Sequence, residues 1–302
     1  MEDVRMTTEF VSERFAEIDL WPTAIAVEAM LEGQMAAIAA VRPAMQAIAA
    51  AADQAAIRLQ KGGRLIYVGA GSSGRIAAQD GAELKPTFGW PADRLRLVVA
   101  GGLEALASSV EKAEDDAIAG QTELRGLDLA RDDVVVAVAA SGRTRFTVAA
   151  LVEARRAGAL AIGIANNPGT PLLAEADIAI CAETGGEAIA GSTRMKAGTA
   201  QKVILNLFST AVMIRCGRVY RGRMVEMVVS NDKLMARAIS MVAELAGSPR
   251  VEAEAALAAT KGNIKTAILC AMGARPDEAS ELLKRSGGFL RGAVAEIKGG
   301  RR

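Results

Sequence analysis

Over the first sixty residues Ala, Leu, Met and Gln dominate and apolar positions recur at helical spacing. This predicts helices from residue 1 to about 61, broken near Pro43 and stopped at Gly62-Gly63. The pattern then changes. Short apolar runs at 64–68, 95–100, 133–139, 159–165 and 177–181 alternate with longer amphipathic segments. Runs of this length, separated by helix-long crossovers, read as strands of a parallel sheet covered on both faces. Beyond about 193 the strand signal stops. Long helical patterns occupy 193–215 and 226–246, and glycines with Pro276 cut the rest, to 296, into short helices before a frayed tail from Lys298.

Two of the predicted strands end in the same chemistry. The first runs into Gly69-Ala-Gly71-Ser-Ser-Gly74-Arg75, and the run 134–140 into Ser141-Gly142-Arg143-Thr144. In open α/β sheets ligands sit at the carboxyl ends of the strands, where both loops fall. The first loop satisfies the GxGxxG pattern of dinucleotide sites, yet the next strand ends in Val-Val-Ala-Gly-Gly without the acid that takes a ribose hydroxyl; the nearest, Glu104, lies beyond the glycines. Ser72 and Ser73 add hydroxyl donors suited to a compact phosphomonoester, so phosphate binding is preferred to NAD. Taken alone, the second loop reads as an ordinary helix cap through Ser141 or Thr144 rather than as an anion site. Paired with the first, it makes a joint sugar-phosphate site from Ser72, Ser73, Gly74, Arg75, Ser141, Gly142, Arg143 and Thr144.

A third segment, Gly191-Ser-Thr-Arg-Met-Lys-Ala-Gly-Thr-Ala-Gln-Lys202, places Ser192 and Thr193 as caps of a helix whose first turns carry Arg194 and Lys196. Two cations near the positive end of a helix dipole are locally unfavourable and call for an anion or an acidic partner. Ser192, Thr193 and Lys196 join the candidate site on this reading, the alternative being a solvated helix face. Spacing alone does not single out Glu83 or Glu114: Glu114 reads as an exposed acid on a helix, and Glu83 is only modestly better as a candidate.

Composition narrows the chemistry. The chain has 302 residues, 51% of them apolar, enough for a large core. Lys and Arg number 36 against 35 acids, with no basic run interleaved with aromatics, so nucleic acid is not an expected partner. Histidine is absent, leaving proton transfer to carboxylates, lysines or hydroxyls, and with three scattered cysteines no zinc or copper site is expected. Cys181, Cys216 and Cys270 form no CxxC pair and suit a reducing compartment. The start, Met1-Glu2-Asp3-Val4-Arg5, lacks a signal-peptide layout, and the alanine-rich run 36–51 is interrupted by Arg42, Pro43 and Gln46. A soluble cytoplasmic protein without membrane partners is the expectation.

The segments Gly63-Arg-Leu-Ile-Tyr-Val-Gly-Ala-Gly-Ser-Ser-Gly-Arg75, Pro86-Thr-Phe-Gly89, Ala140-Ser-Gly-Arg-Thr144, Gly191 to Lys202, Leu205-Asn206, Met224-Val225, Asn231 and Lys233-Leu234 carry a resemblance that extends over most of the chain. With them the chain resembles the N-acetylmuramic acid 6-phosphate etherases, a branch of the sugar isomerase (SIS) domain proteins that includes the glucokinase regulatory protein. The resemblance implies an α/β fold: a three-layer αβα sandwich on a five-stranded parallel sheet. N-terminal helices are expected over 1–54, the SIS domain over 55–222 and a helical C-terminal region over 223–302. It implies removal of D-lactate from the sugar 3-position without metal, nucleotide or other cofactor, and a homodimer. Glu83 would protonate the departing ether oxygen; Glu114 would take the C2 proton of the ring-opened sugar and then activate water at C3. The C1 aldehyde acidifies C2, so a carboxylate whose pKa is raised by burial suffices.

Departures from the family pattern are Ala82 for serine, Lys85 for proline, Lys112 for glycine and Glu226 for aspartate, and the usual acidic pair near Leu31-Glu-Gly-Gln34 is missing. They bear on substrate preference more than on reaction class. An aldose–ketose isomerase on the same fold is disfavoured by the absence of any histidine. A non-catalytic sugar-phosphate sensor is disfavoured by the retention of both Glu83 and Glu114 and by room for only one SIS domain.

Overall fold

The computed structural model describes residues 7–108, 110 and 112–299. Its contacts divide the chain into two compact units, Met1–Ala82 with Asp93–Val212 and Glu83–Ala92 with Met213–Arg302.

The first unit does not begin in regular helix. Three short 3-10 turns, Thr7–Glu9, Glu13–Phe15 and Ile18–Leu20, precede α1 (Thr23–Ala39), which starts directly after Pro22; residues 1–6 of the expected helix lie outside the described residues. Thr7, Thr8, Ser12 and Asp19 have side chains that compete for backbone hydrogen bonds, and the Pro22 ring bars helix N-terminal to itself. At Pro43 the expected break is a 3-10 turn, Arg42–Ala44, before α2 (Met45–Gln60).

From there strand and helix alternate: β1 (Leu65–Gly69), α3 (Gly71–Phe88), β2 (Leu95–Val99), α4 (Ala117–Gly126), β3 (Val134–Val138), α5 (Arg145–Arg156), β4 (Leu160–Ala165), α6 (Pro171–Glu175), β5 (Ile178–Cys181) and α7 (Lys196–Arg215). All five strands pair in parallel in the order β2-β1-β3-β4-β5. Side chains alternate across the sheet. Ile66, Val68, Val135, Ala137 and Ala161 join Phe146, Ala150, Leu151 and Ala154 of α5 and Leu124 of α4 in one apolar cluster. On the other face Tyr67 donates to Asp80 Oδ2 of α3 at 2.7 Å, and Asn206 and Ser209 of α7 donate to Asp80 Oδ1 at 2.6 and 3.2 Å. Burial and then the Asp80 carboxylate hold the Tyr67 phenol well above its ordinary 10.0, so it remains a donor and the buried carboxylate stays satisfied.

The motif residue Arg64 is a clamp below the strands. It binds Asp133 through Nη2 at 2.6 Å and through its backbone N–H at 2.7 Å. Burial alone would raise the Asp133 carboxyl, but the Arg64 side chain and the N–H groups of Ala130 and Arg64 outweigh it and hold the pKa below 3.8. A depressed native pKa contributes stability above the unfolded value that is lost as pH falls through the native one. Asp133→Asn should therefore cost about 2 kcal/mol at neutral pH. In denaturant titrations at a series of pH values the gap to the parent should close in acid; a gap of constant size would show that the charge contributes nothing.

In the second unit, α8 (Asp232–Ala246), α9 (Arg250–Ala259), α10 (Ile264–Ala271), α11 (Pro276–Arg285) and α12 (Leu290–Gly299) bury Val242, Leu257, Ile268, Leu269, Leu282 and Leu290 in one core. The helix expected from 226 begins at Asp232, where Asn231, in extended backbone, caps Leu234 N–H at 2.9 Å; before it the Val228 N–H donates to the Pro86 carbonyl at 3.2 Å instead of to a helical turn. Residues 298 and 299 close α12, and 300–302 of the expected frayed tail lie outside the described residues. The Pro86-Thr-Phe-Gly89 motif ends α3 here. Gly89 takes φ +60, a Cβ there would stand 2.4 Å from the Glu226 carbonyl oxygen, and Arg218 donates to the carbonyls of Phe88 and Gly89 while stacking on Trp90. Glu226 itself pairs with the buried Lys265 at 2.5 Å.

Candidate functional site

Where the strand order reverses, between β1 and β3, the two Ser/Gly/Arg loops end side by side. Gly69 and Gly74 let the first loop turn tightly: a Cβ on Gly69 would lie 2.8 Å from Gly74 Cα, so α3 leaves the strand end with backbone on backbone. Gly71 (φ +53) opens α3, and Ser72 and Ser73 occupy its first turn. At the second loop Gly142 (φ +63) has no room for a Cβ beside Thr170. Ser141 Oγ accepts from Arg143 N–H at 3.1 Å and lies 3.5 Å from Thr144 Oγ1. Thr144 stands at the N-cap of α5 yet makes no capping bond with its side chain, so its hydroxyl is not spent on the helix.

These loops line a cavity of about 360 Å³ that contains Ser72, Ser73, Ser141, Arg143, Thr144 and Thr193, with the carboxylates Glu9, Glu114 and Asp115. Two helix N-termini, five hydroxyls and one guanidinium in this lining suit a phosphate. Glu114, on the 3-10 turn Ala113–Asp115, is exposed in the single chain.

Other candidates lie elsewhere. Gly74 is a packing residue. Arg75 donates to the carbonyls of Ala105 and Ser108 at 2.9 and 3.0 Å, fastening the segment that leads to Glu114, and lines a neighbouring smaller cavity. Gly142 and Ser192 are not among the lining residues of the large cavity. Lys196 turns away, its Nζ on the Gly186 carbonyl at 2.8 Å. The expected cap by Ser192 and Thr193 is replaced: α7 starts at Lys196, and the buried Glu187 accepts from the N–H groups of Lys196 and Ala197 at 2.9 and 3.0 Å. That carboxylate is the anion which the cationic first turn calls for. Glu83 is exposed on the part of α3 that belongs to the second unit and does not line this cavity.

Glu9, Asp115 and Gly191 join the cavity without having been singled out by sequence. Glu9 is placed by its neighbours: the Asn167 amide donates to Thr8 Oγ1 at 3.1 Å and to the Ala140 carbonyl at 2.9 Å, and Gly191 N–H donates to the Thr8 carbonyl. No local pattern announces an acid whose neighbour Thr8 is held by an asparagine 159 residues away.

The glucokinase regulatory protein N-terminal SIS domain matches residues 47–155, and the SIS domain matches 119–211. A Deinococcus radiodurans protein named N-acetylmuramic acid 6-phosphate etherase is 42% identical over 98% of this chain and 97% of its own length. One of the same name from Streptomyces avermitilis is 44% identical over 96% of this chain and 94% of its own. Among solved structures, a Bacteroides fragilis protein titled as a phosphosugar isomerase involved in capsule formation shares the fold. It has a TM-score of 0.50 and 21% identity, covering 64% of this chain and 91% of that one.

Proposed function

The chain belongs to the N-acetylmuramic acid 6-phosphate etherase family, and on that premise we propose how its residues carry the family reaction. The enzyme is a lyase of cell-wall amino-sugar recycling: it removes D-lactate from C3 of N-acetylmuramic acid 6-phosphate by elimination and then adds water, leaving N-acetylglucosamine 6-phosphate. Near-full-length identity to etherases sets aside the isomerase and sensor readings.

One observation carries the assignment of roles: the hydroxyls of both loops and Glu114 line the same cavity. The 6-phosphate docks on Ser72, Ser73, Ser141 and Thr144 with Arg143 as its cation, which leaves the ring reaching toward Glu114. Glu114 takes the C2 proton of the open-chain sugar; electrons move into the C2–C3 bond as the C3–O bond breaks, and Glu83 protonates the leaving oxygen. Glu114, once that proton has passed to solvent, takes a proton from the water that adds at C3 while a solvent proton returns to C2. The Glu83 role rests on the family resemblance and on its exposure, which keeps it available to a substrate. Ser72→Ala and Thr144→Ala should each raise KM about ten-fold with a smaller change in kcat, as expected for groups that hold substrate and transition state alike. An unphosphorylated sugar should be a poor substrate. Equal turnover of both sugars would remove the phosphate cradle.

The enzyme acts as a homodimer in the cytoplasm on this reading. α1 is apolar nearly all round, and Val27, Leu31, Met35 and Ile38 form an exposed stripe on one side of it. Such a surface asks for a partner. The stretch Thr23–Gln60 is also long and apolar enough to cross a bilayer by composition. Sedimentation of the purified chain with and without lipid vesicles separates the cases: a dimer that stays in solution is expected, and a monomer, or a protein that pellets with the vesicles, would refute it.

A further inference from the structure

Beside the phosphate cavity lies a smaller one of about 140 Å³, and the two share Ala70, Gly71 and Glu114 as lining. The small cavity is closed by Ala105, Val110 and Ala113 and carries two cationic residues, Arg75 and Lys112. The substrate of the proposed function has two anionic groups, and the hydroxyl-lined cavity accounts for one. Its other anion, the lactyl carboxylate, hangs from C3, next to the carbon whose proton is removed. A base serving C2 should therefore stand where the sugar site meets the lactyl site, and Glu114 lines both cavities.

Lys112 gives the second reason. Its backbone sits at φ +60, in the left-handed region, immediately before the turn Ala113–Asp115 that bears Glu114. Glycine takes that conformation freely and lysine does not. Lys112 is exposed, and among the described residues it forms no ion pair. A lysine held at a backbone conformation that disfavours it, facing a small cavity beside the base, is placed to meet an anion.

We propose that the Arg75–Lys112 cavity is the subsite for the lactyl carboxylate and for the D-lactate formed from it, with Lys112 a specificity-determining residue of this chain. The proposal rests on the etherase reading. It distinguishes substrate from sugar product, since N-acetylglucosamine 6-phosphate has no carboxylate to place there.

Lys112→Gly is a favourable probe, because glycine suits φ +60 and the fold is not put at risk. With the purified full chain, KM for N-acetylmuramic acid 6-phosphate should rise about ten-fold and inhibition by D-lactate should weaken about as much, the loss of roughly one charged contact. Inhibition by N-acetylglucosamine 6-phosphate should stay as in the parent, and Lys112→Arg should restore both lost constants. Unchanged KM and D-lactate inhibition in Lys112→Gly would overturn the subsite. So would an equal weakening of both inhibitors, which would mean that the variant disturbs the shared sugar cavity. A parent protein that releases no D-lactate would instead defeat the etherase reading, so the two failures are distinct.

Discussion

Glu83→Gln is expected to lower kcat for D-lactate release by about a thousand-fold or more while leaving substrate affinity within a few-fold. A positioned general acid contributes on the order of 10²–10⁴ in rate, and the leaving group here is an alkoxide that departs poorly without a proton. Glutamine keeps the shape of the side chain and removes only the proton it can give, so the loss belongs to the transition state and should appear in kcat rather than KM. Steady-state lactate assays read both constants. Wild-type turnover by Glu83→Gln would end its assignment as the acid, whereas a matched rise in KM would place it in binding.

Gly63→Ala is expected to have the largest effect on the fold. Gly63 joins α2 to β1, and a Cβ there would lie 1.7 Å from the Asp132 carbonyl oxygen, 2.5 Å from its carbonyl carbon and 3.2 Å from the Arg58 carbonyl oxygen. All three are backbone atoms, two in the short connection before β3 beside the clamp of Arg64 on Asp133 and one in the last turn of α2, so none can step aside as a flexible side chain would. Overpacking costs about 1–3 kcal/mol where neighbours can give, and more where they cannot. A loss of about 3 kcal/mol should lower the first thermal transition by roughly 6–12 °C, with poor soluble yield. A melting temperature within a degree or two of the parent would show that this connection can shift.

The sheet was legible because its central strands are buried on both faces: β1, β3 and β4 read as fully buried apolar runs, while the edge strands β2, which carries Arg96, and β5 are partly exposed. All five runs became parallel strands within a residue or two of their expected bounds. The loops were legible because glycines and hydroxyls at strand ends have few other uses in a parallel sheet. Within a loop, sequence did not say which side chain faces the cavity. Successive helix positions turn by about 100°, so of Ser72, Ser73, Gly74 and Arg75 only the serines line the cavity shared by the two loops, while Gly74 packs and Arg75 fastens the segment before Glu114. Glu9 was invisible because it is placed through Thr8 and Asn167, far apart in sequence, and Glu187 because it caps α7 from across an irregular loop, outside any local capping pattern. The irregular opening over residues 7–20 escaped because its apolar spacing mimics a helix, while its Thr, Ser and Asp side chains and Pro22 decide against one.

The most direct test runs the reaction in D2O with EDTA present and reads the N-acetylglucosamine 6-phosphate formed by proton NMR. Removal of the C2 proton by Glu114, elimination and return of a solvent proton predict D-lactate release with deuterium at C2 in the wild type, and neither in Glu114→Gln. A product that keeps its original hydrogen at C2 would mean direct displacement at C3 and would contradict the role given to Glu114.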